Sequence, residues 1–312
     1  MRIPQFLLVL RSSAFALLPG LILGLTGTGC VCLSPTVQRT NGIPYGTRGE
    51  RTLSLDVIRP EHPNGLGVLM LVSGGWRSRQ PGKFPTWPLA PILRRGYTVF
   101  DIYHVSQPQA TVIEIAEDMH RAVRFVRHHA GEYGVDPDRL GVAGGSAGGH
   151  LSLLLATRGA PGPADAVDPV DRESSAVQAV AIFYPVTDLL NLGSSTENLG
   201  DGGPPKSFIK AFGPQSTNLA VWKIIGRATS PIYYITTNLP PILIYHGDAD
   251  TLVPLEQSER FQSTARALGC TVEVRVHHGG KHGWWTMPWD IRRFADWFDQ
   301  YLRGDSQSGR NN

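Results

Sequence analysis

Hydrophobic and polar positions follow two alternating patterns along the chain. Seven short segments have the character of strands, and several of them are almost wholly apolar, which is typical of strands that are covered on both faces of a sheet. The predicted strands are residues 52–58, 67–73, 97–103, 139–144, 178–184, 241–246 and 271–277. Between them, apolar residues recur at helical spacing, and this pattern predicts helices over residues 111–129, 147–157, 255–268 and 289–302.

This alternation of strands and helices predicts the α/β class, with a mostly parallel central sheet and helices on both faces. Residues 188–231 interrupt the alternation, because a Gly/Ser/Asn-rich run is followed there by short helical segments around 205–212 and 218–225. The interruption lies between two predicted strands. We therefore expect it to stand outside the sheet, as an elaborated crossover or a small partial lid.

The N-terminal segment differs in character from the rest of the chain. Residues 1–29 have a basic start, a short apolar run and a small-residue end, which is the pattern of a secretory signal peptide. Cys30 follows directly, in a context that resembles a bacterial lipoprotein cleavage site, so a lipid anchor at Cys30 is an open alternative. We expect an exported protein (secreted, periplasmic or envelope-attached) with a leader over 30–50, one α/β domain over 51–303 and a polar tail over 304–312.

Composition narrows the classes of partner. The charged content of 18% and the net charge of +3 are ordinary for a globular domain, and no run of lysines and arginines with interleaved aromatic residues is present. We therefore expect no nucleic-acid partner. The three cysteines, Cys30, Cys32 and Cys270, have the spacing of neither a disulfide framework nor a metal site.

Five glycines surround one serine in residues 141–149, Gly-Val-Ala-Gly-Gly-Ser-Ala-Gly-Gly. A phosphate-binding loop would need Lys-Ser/Thr after its last glycine, and a dinucleotide fingerprint would need Gly-x-Gly-x-x-Gly; neither fits. Residues 144–148 do fit Gly-x-Ser-x-Gly, between a predicted strand and a predicted helix. That context predicts a nucleophile elbow with Ser146 at its tip.

A serine nucleophile needs a general base and an acid that orients the base. When the nucleophile sits on such an elbow, the acid and the histidine follow it in that order along the chain. Asp248 and Asp250 follow the sixth predicted strand, and His282 lies in a glycine-flanked loop after the seventh. His277 and His278 are competing histidines at the end of that last strand.

Taken together, these segments resemble α/β-hydrolase-fold esterases of the group related to bifunctional feruloyl and acetylxylan esterases (BD-FAE-like) and to hormone-sensitive lipase. The resemblance covers residues 52–302 and is carried by Gly-Gly-Ser-Ala-Gly-Gly-His at 144–150, His-Gly-Asp-Ala-Asp-Thr-Leu-Val-Pro at 246–254, Gly-Lys-His-Gly at 280–283, Tyr-Gly-Val-Asp-Pro-Asp-Arg at 133–139 and Tyr-Pro-Val-Thr-Asp at 184–188. It implies acyl transfer with Ser146 as nucleophile, His282 as base and Asp250 as acid, and neither a metal nor an organic cofactor.

The resemblance also implies an oxyanion hole made of backbone amides. Ala147 would supply one amide, and Gly74 and Gly75 would supply others from the loop after the second predicted strand. Family members have His-Gly-Gly-Gly-Trp in that loop, where this chain has Val-Ser-Gly-Gly-Trp at residues 72–76. A second departure is Tyr-His-Val at residues 103–105, where relatives have Tyr-Arg-Leu.

The substrate is less constrained by the sequence. Trp76 and Trp284 adjoin the catalytic loops, so we expect them to line the substrate pocket, whereas Trp285 and Trp289 are expected to dock the last helix. A short-chain acyl ester, such as an acylated carbohydrate, is the substrate class that the resemblance implies. A prolyl-oligopeptidase-like serine peptidase and a non-catalytic binding protein with the same fold are the alternatives.

Overall fold

The computed structural model describes residues 35–303, and within that range a sheet of eight strands forms the centre of the protein. The strands are β1 Val37–Arg48, β2 Arg51–Pro60, β3 Gly67–Leu71, β4 Ser73–Gly74, β5 Arg77–Ser78, β6 Thr98–Ile102, β7 Leu140–Gly145, β8 Ala179–Phe183, β9 Ile242–Gly247 and β10 Val272–His277. The order across the sheet is β1-β2-β6-β3-β7-β8-β9-β10, and β4 and β5 form a separate hairpin.

The sheet is mostly parallel. Strand β2 runs antiparallel to both of its neighbours, whereas β6, β3, β7, β8, β9 and β10 pair in parallel. Every residue of β3, β6 and β8 is buried, as the continuous apolar runs predict for strands covered on both faces. All seven strands predicted from the sequence are present, and the α/β class is confirmed.

The leader predicted over residues 30–50 is wrong from Val37 onward, because β1 (Val37–Arg48) is the edge strand of the sheet. Its side chains are mostly polar and alternate between partly buried and exposed, so it lacks the apolar run that marks the other strands. The strand is held partly by polar contacts: Arg39 forms an ion pair of 2.7 Å with the fully buried Asp56 of β2. The folded domain therefore begins before residue 51.

The helices are α1 Ala90–Leu93, α2 Val112–His128, α3 Ala130–Tyr133, α4 Ala147–Arg158, α5 Pro169–Arg172, α6 Leu219–Ala228, α7 Glu256–Ala267 and α8 Met287–Leu302. Helix α2 starts at a capping box, in which the Thr111 side chain accepts from the Glu114 amide and the Glu114 carboxylate accepts from the Thr111 amide. The four helices predicted from the sequence correspond to α2, α4, α7 and α8.

The hydrophobic core lies on both faces of the sheet. Alternate residues of a strand point to opposite faces, and in β3 Leu69 and Leu71 belong to one apolar cluster while Val68 and Met70 belong to another. The first cluster includes residues of α2, α4 and α7, and the second includes residues of α1 and α8. Helices thus cover both faces.

Residues 188–231 stand outside the sheet and contain α6 and 3-10 turns at Ile209–Phe212 and Pro214–Thr217. Trp222 of α6 is fully buried and packs edge-on against Phe212, with ring centroids 5.0 Å apart. Phe208 reaches the cavity that contains Ser146. Phe212 and Trp222 also belong to the apolar cluster that includes residues of α2 and α4, so this part of the segment packs on the domain, and a role as a lid stays a prediction.

Two expectations from the sequence fall on residues outside the described range: the signal peptide with the lipid anchor at Cys30, and the polar tail over 304–312. Between residues 35 and 303, no helix has the length and apolar character that crossing a membrane requires.

Candidate active site

Ser146 lies at the sharp turn between β7 and α4, at the carboxyl end of the parallel strands. Its backbone has φ 54° and ψ −118°, a conformation that side-chain-bearing residues rarely adopt. The turn is held because the Ser146 amide donates to the carbonyl oxygen of Phe183 in β8, at 3.0 Å. A strained serine at a strand-to-helix turn is the geometry of a nucleophile elbow.

Glycines around Ser146 are required by close backbone packing. A Cβ on Gly148 would lie 2.4 Å from the carbonyl oxygen of Leu71, and one on Gly144 would lie 2.6 Å from the Gly148 carbonyl carbon. Gly149 is similarly restricted, since its Cβ would lie 2.9 Å from the Phe183 carbonyl oxygen. No side chain fits at these three positions without moving the backbone, so the elbow depends on glycine.

Three predicted side chains meet in one hydrogen-bonded chain. His282 Nε2 lies 2.8 Å from Ser146 Oγ, and His282 Nδ1 lies 2.7 Å from Asp250 Oδ2. A carboxylate only accepts hydrogen bonds, so Nδ1 carries the proton and Nε2 is left to accept from the serine hydroxyl. The arrangement can therefore take a proton from Ser146 Oγ.

The Asp250 carboxylate is nearly inaccessible to solvent, yet it stays charged. Burial raises its pKa, but contacts from His246 and His282 outweigh this effect and hold the pKa well below its usual range. Its Oδ1 also accepts from the backbone amides of Leu252 and Val253, at 3.0 and 2.9 Å. The result is a fixed negative charge against one nitrogen of the His282 ring.

The competing residues make other contacts. Asp248 accepts from the Gly279 amide at 2.7 Å and pairs with the exposed His278 at 2.8 Å, so it shapes the turn between two loops. His277 stacks on Trp284 with centroids 4.6 Å apart. His246 is buried, with Nε2 2.7 Å from the Val253 carbonyl and Nδ1 2.7 Å from Ser258 Oγ.

The hairpin of β4 and β5 (residues 73–78) lies beside α4 and lines the same cavity as Ser146. Gly75 and Trp76 form its two-residue turn and both have positive φ, 55° and 56°, as in the type I′ turns that tight hairpins favour. Gly74 and Gly75 line the cavity that contains Ser146 and His282. Ala147 is the first residue of α4, beside the nucleophile.

The two departures from the family pattern contact each other. Ser73 Oγ lies 2.9 Å from His104 Nε2, and His104 Nδ1 lies 2.9 Å from the carbonyl oxygen of Val105. Burial lowers the pKa of His104 to about 4, so the ring is neutral near pH 7 and its Nε2 accepts from the serine hydroxyl. Each departure is visible in the sequence by itself, but nothing in the sequence indicates that they pair.

Further contacts hold the same hairpin. The Gln107 amide donates to the Trp76 carbonyl, and Ser106 Oγ accepts from the Ser78 amide, both at 3.0 Å. Trp76 Nε1 donates to His150 Nδ1 at 3.1 Å. Trp76 is only 3% exposed, and it borders a small cavity of about 40 Å³ that Ser146 and Ala147 also line. It does not line the larger cavity that contains Ser146 and His282, and its place in the substrate pocket stays a prediction.

The main cavity has a volume of about 890 Å³ and contains Ser146 and His282. Trp284 lines it as predicted, and its Nε1 donates to Asp290 at 2.7 Å. The expectation that Trp285 and Trp289 dock the last helix is wrong, because they are 81% and 55% exposed. Helix α8 instead packs through a separate apolar face that includes Ile291, Phe294 and Phe298.

Sequence reasoning missed several residues that line this cavity: Arg77, Arg79, Trp87, Tyr184 and Phe208. Only Tyr184 lies in a segment that carries the family resemblance. The other four residues reach the cavity because the hairpin and the crossover segment fold against distant parts of the chain, and no local sequence pattern indicates such contacts. Across residues 35–303, no cluster of three or more His, Cys, Asp or Glu side chains is placed to hold a metal ion.

Comparison with known proteins connects this geometry to characterised families. Residues 55–265 match the BD-FAE family. Esterase LipQ of Mycobacterium tuberculosis is 34% identical over 245 residues, which are 74% of this chain and 53% of that protein. The chain spans about half the length of the curated relatives that it matches.

Solved structures agree with the fold. A carbohydrate esterase from gut microbiota superposes with a TM-score of 0.65 at 20% identity, over 86% of this chain and 98% of that one. The butyrate-bound esterase Est2 of Thermogutta terrifontis superposes with a TM-score of 0.64 at 25% identity, over 86% and 94%. The fold is that of the α/β-hydrolases, and the chain belongs to the BD-FAE family of α/β-hydrolase-fold esterases.

Proposed function

We propose that this protein is a serine carboxylic ester hydrolase that works by acyl transfer. The observation that carries the proposal is the hydrogen-bonded chain from Ser146 through His282 to Asp250, with contacts of 2.8 and 2.7 Å. These three side chains lie at the nucleophile elbow, and Ser146 and His282 border a cavity large enough for a small ester. Similarity to named esterases supports the same activity.

In the first half-reaction, Ser146 Oγ attacks the ester carbonyl carbon while His282 Nε2 takes the hydroxyl proton. Asp250 keeps the histidine in the tautomer that leaves Nε2 free to accept and stabilises the imidazolium that forms. The proton then passes from His282 to the departing alcohol oxygen, which leaves an acyl group on Ser146. Water then attacks that acyl carbonyl carbon while His282 Nε2 takes its proton. The bond between the acyl carbon and Ser146 Oγ breaks, His282 returns the proton to Ser146 Oγ, and the acid is released.

Backbone amides would stabilise the tetrahedral intermediates. We assign this role to Gly74, Gly75 and Ala147, as the family pattern implies. Ala147 begins α4, so the positive end of the helix dipole also faces the developing oxyanion. Each such donor contributes about 2.7–4 kcal/mol of transition-state stabilisation when it is correctly placed.

For the substrate we propose short-chain acyl esters, with acylated carbohydrates as the natural class. Support comes from the names of the structural neighbours, which include a carbohydrate esterase and a butyrate-bound esterase. A panel of p-nitrophenyl esters of increasing acyl length, together with acetylated xylan and methyl ferulate, tests this. A preference for long acyl chains over acetate would contradict the proposal.

A fluorescent fluorophosphonate probe tests the nucleophile directly. Thermogutta terrifontis esterase 2 has been solved phosphonylated by sarin, which is a related reaction. We expect the wild type to be labelled and Ser146→Ala to be unlabelled. Ser194→Ala removes an exposed serine outside the cavity and serves as the matched control, which should be labelled like the wild type. A folded wild-type protein that resists the probe would refute the proposal.

We also propose that the protein is exported, with Cys30 as a site of lipid attachment; the basis is the sequence of residues 1–29 and Cys30. Metabolic labelling with a radioactive fatty acid in a bacterial host tests the anchor. Incorporation that is lost in Cys30→Ser would support lipidation. An unlabelled protein recovered from the cytoplasm would refute both the anchor and export.

A further inference from the structure

The cavity that contains Ser146 carries an unbalanced positive charge. Among residues 35–303, its lining includes the guanidinium side chains of Arg77 and Arg79 and no aspartate or glutamate. Both arginines are exposed, and within residues 35–303 neither forms an ion pair or a side-chain hydrogen bond. A pair of unneutralised cations beside a reaction centre attracts negatively charged molecules.

The hairpin places these two cations close to the reacting atoms. Arg77 is the cross-strand partner of Gly74, so its backbone lies one strand spacing, about 5 Å, from a glycine assigned to the oxyanion hole. Arg79 follows directly after the end of β5, and both arginines line the cavity that contains Ser146. The two guanidinium groups therefore belong to one rim of the cavity.

Exposed aromatic rings stand in the same cavity. The indole of Trp87 is 58% exposed and that of Trp285 is 81% exposed, and both line the space around Ser146. Large apolar rings left open to solvent around a cavity indicate a binding site. Indole faces pack well against sugar or aryl rings. The cavity thus offers flat apolar surfaces beside two cations.

We infer that this cavity binds esters that carry a carboxylate, with Arg77 and Arg79 as the counter-ions of that group. The inference rests on the proposed ester hydrolysis. Guanidinium groups suit carboxylates because their planar N–H donors match the two carboxylate oxygens. An acylated uronic acid carries its carboxylate on the alcohol part, and a half-ester of a dicarboxylic acid carries it on the acyl part.

Matched ester pairs separate these two sources. For the alcohol part, 4-carboxyphenyl acetate is compared with 4-(methoxycarbonyl)phenyl acetate. For the acyl part, mono-4-nitrophenyl adipate is compared with its methyl ester. For each pair the quantity measured is the ratio of kcat/KM for the anionic ester to kcat/KM for the neutral one.

The ratio is measured in the wild type, in the double variant R77Q/R79Q and in the control variant Arg51→Gln. Arg51 is an exposed arginine at the start of β2 that does not line the cavity. We expect the ratio to fall about tenfold in R77Q/R79Q for at least one pair, chiefly through KM, and to stay at the wild-type value in Arg51→Gln. Raising the salt concentration should lower the ratio in the wild type and leave it constant in R77Q/R79Q.

The pair that responds identifies where the carboxylate lies. Equal ratios in the wild type and R77Q/R79Q, for both pairs, would overturn the inference while leaving ester hydrolysis intact. Absence of hydrolysis in the wild type, together with absence of fluorophosphonate labelling, would instead refute the proposed function and the inference with it. Labelling of R77Q/R79Q by the same probe checks that a lower ratio does not come from a misfolded site.

Discussion

Two walls of the catalytic cavity are built by different means. The elbow wall, residues 144–149, is held by glycines whose missing side chains let backbone segments approach within about van der Waals contact. The hairpin wall, residues 73–78, is held from outside by hydrogen bonds from residues 104–107. The elbow wall keeps the family pattern, whereas the hairpin wall departs from it at Ser73, directly after the departure at Val72.

The difference follows from what each wall must supply. Ser146 acts through its side chain at a strained turn, and no substitute exists for glycine where a Cβ would meet a backbone atom. The hairpin wall would act through backbone amides, which every residue but proline carries. Different side chains can therefore hold the amides in place, and here the pair Ser73 and His104 does so.

The largest effect on catalysis is expected at the acid that orients His282. Asp250→Asn should lower kcat on p-nitrophenyl acetate about 10³- to 10⁴-fold, because the amide stabilises the wrong imidazole tautomer and no longer balances the imidazolium. Asp248→Asn removes the neighbouring carboxylate of the same loop and should change kcat less than about threefold. A larger loss in Asp248→Asn than in Asp250→Asn would reverse the assignment of the acid.

The glycine argument for the elbow wall is tested by adding one methyl group. Gly148→Ala should lower the free energy of unfolding by about 1–3 kcal/mol, because its Cβ would meet the Leu71 carbonyl. The resulting shift of the nucleophile should cost about a hundredfold in kcat/KM.

Gly131→Ala is the control for that methyl group. A Cβ on Gly131 in α3 meets nothing within 4 Å, so the substitution should leave activity unchanged and stabilise the helix slightly. Urea unfolding and p-nitrophenyl acetate hydrolysis measure both variants. Wild-type activity in Gly148→Ala would show that the elbow adapts and that the two walls do not differ as described.

The contrast between the walls also explains what the sequence alone can predict. The elbow, the acid loop and the histidine loop are short contiguous motifs in which the spacing encodes the geometry. These motifs therefore identify Ser146, Asp250 and His282 as candidates without knowledge of the fold, and the structure places the three side chains in contact. Buried strands are likewise recognisable, because an apolar run reports burial directly.

The features of the fold and the site that the sequence does not predict depend on contacts between distant segments. Strand β1 is polar because it forms the sheet edge, so no apolar run marks it. Trp289 lies in α8, and its exposure depends on which face of that helix packs on the sheet. Ser73 and His104 are 31 residues apart, and their contact arises only when β6 and the hairpin meet.

Acidification should weaken the hairpin wall selectively. Burial lowers the folded-state pKa of His104 to about 4, below its ordinary value of 6.5. The stability that this neutral histidine contributes is therefore present above pH 6.5 and is lost as the pH falls through the window down to about 4. Between pH 7 and pH 5, the wild type should lose about 1–2 kcal/mol of unfolding free energy relative to His104→Phe.

In His104→Phe the titrating ring is absent, while the other ionisable groups of the protein are the same as in the wild type. Urea unfolding of both proteins at each pH measures the difference. A difference that stays constant from pH 7 to pH 5 would show that His104 is accessible enough to take up a proton in the folded state. The hairpin wall would then not rest on a buried neutral ring.

The smallest expected effect tests whether Ser73 and His104 act as one unit. A neutral hydrogen bond contributes about 0.5–1.5 kcal/mol, so Ser73→Ala should lower kcat about five- to tenfold by letting the proposed oxyanion amides move, with KM little changed. His104→Phe should have a similar effect.

Because each substitution removes the same contact, the double variant should be no slower than the slower single variant. If the two single-variant losses of kcat multiply in the double variant, Ser73 and His104 act independently. The hairpin wall would then depend on its other contacts, from Ser106 and Gln107.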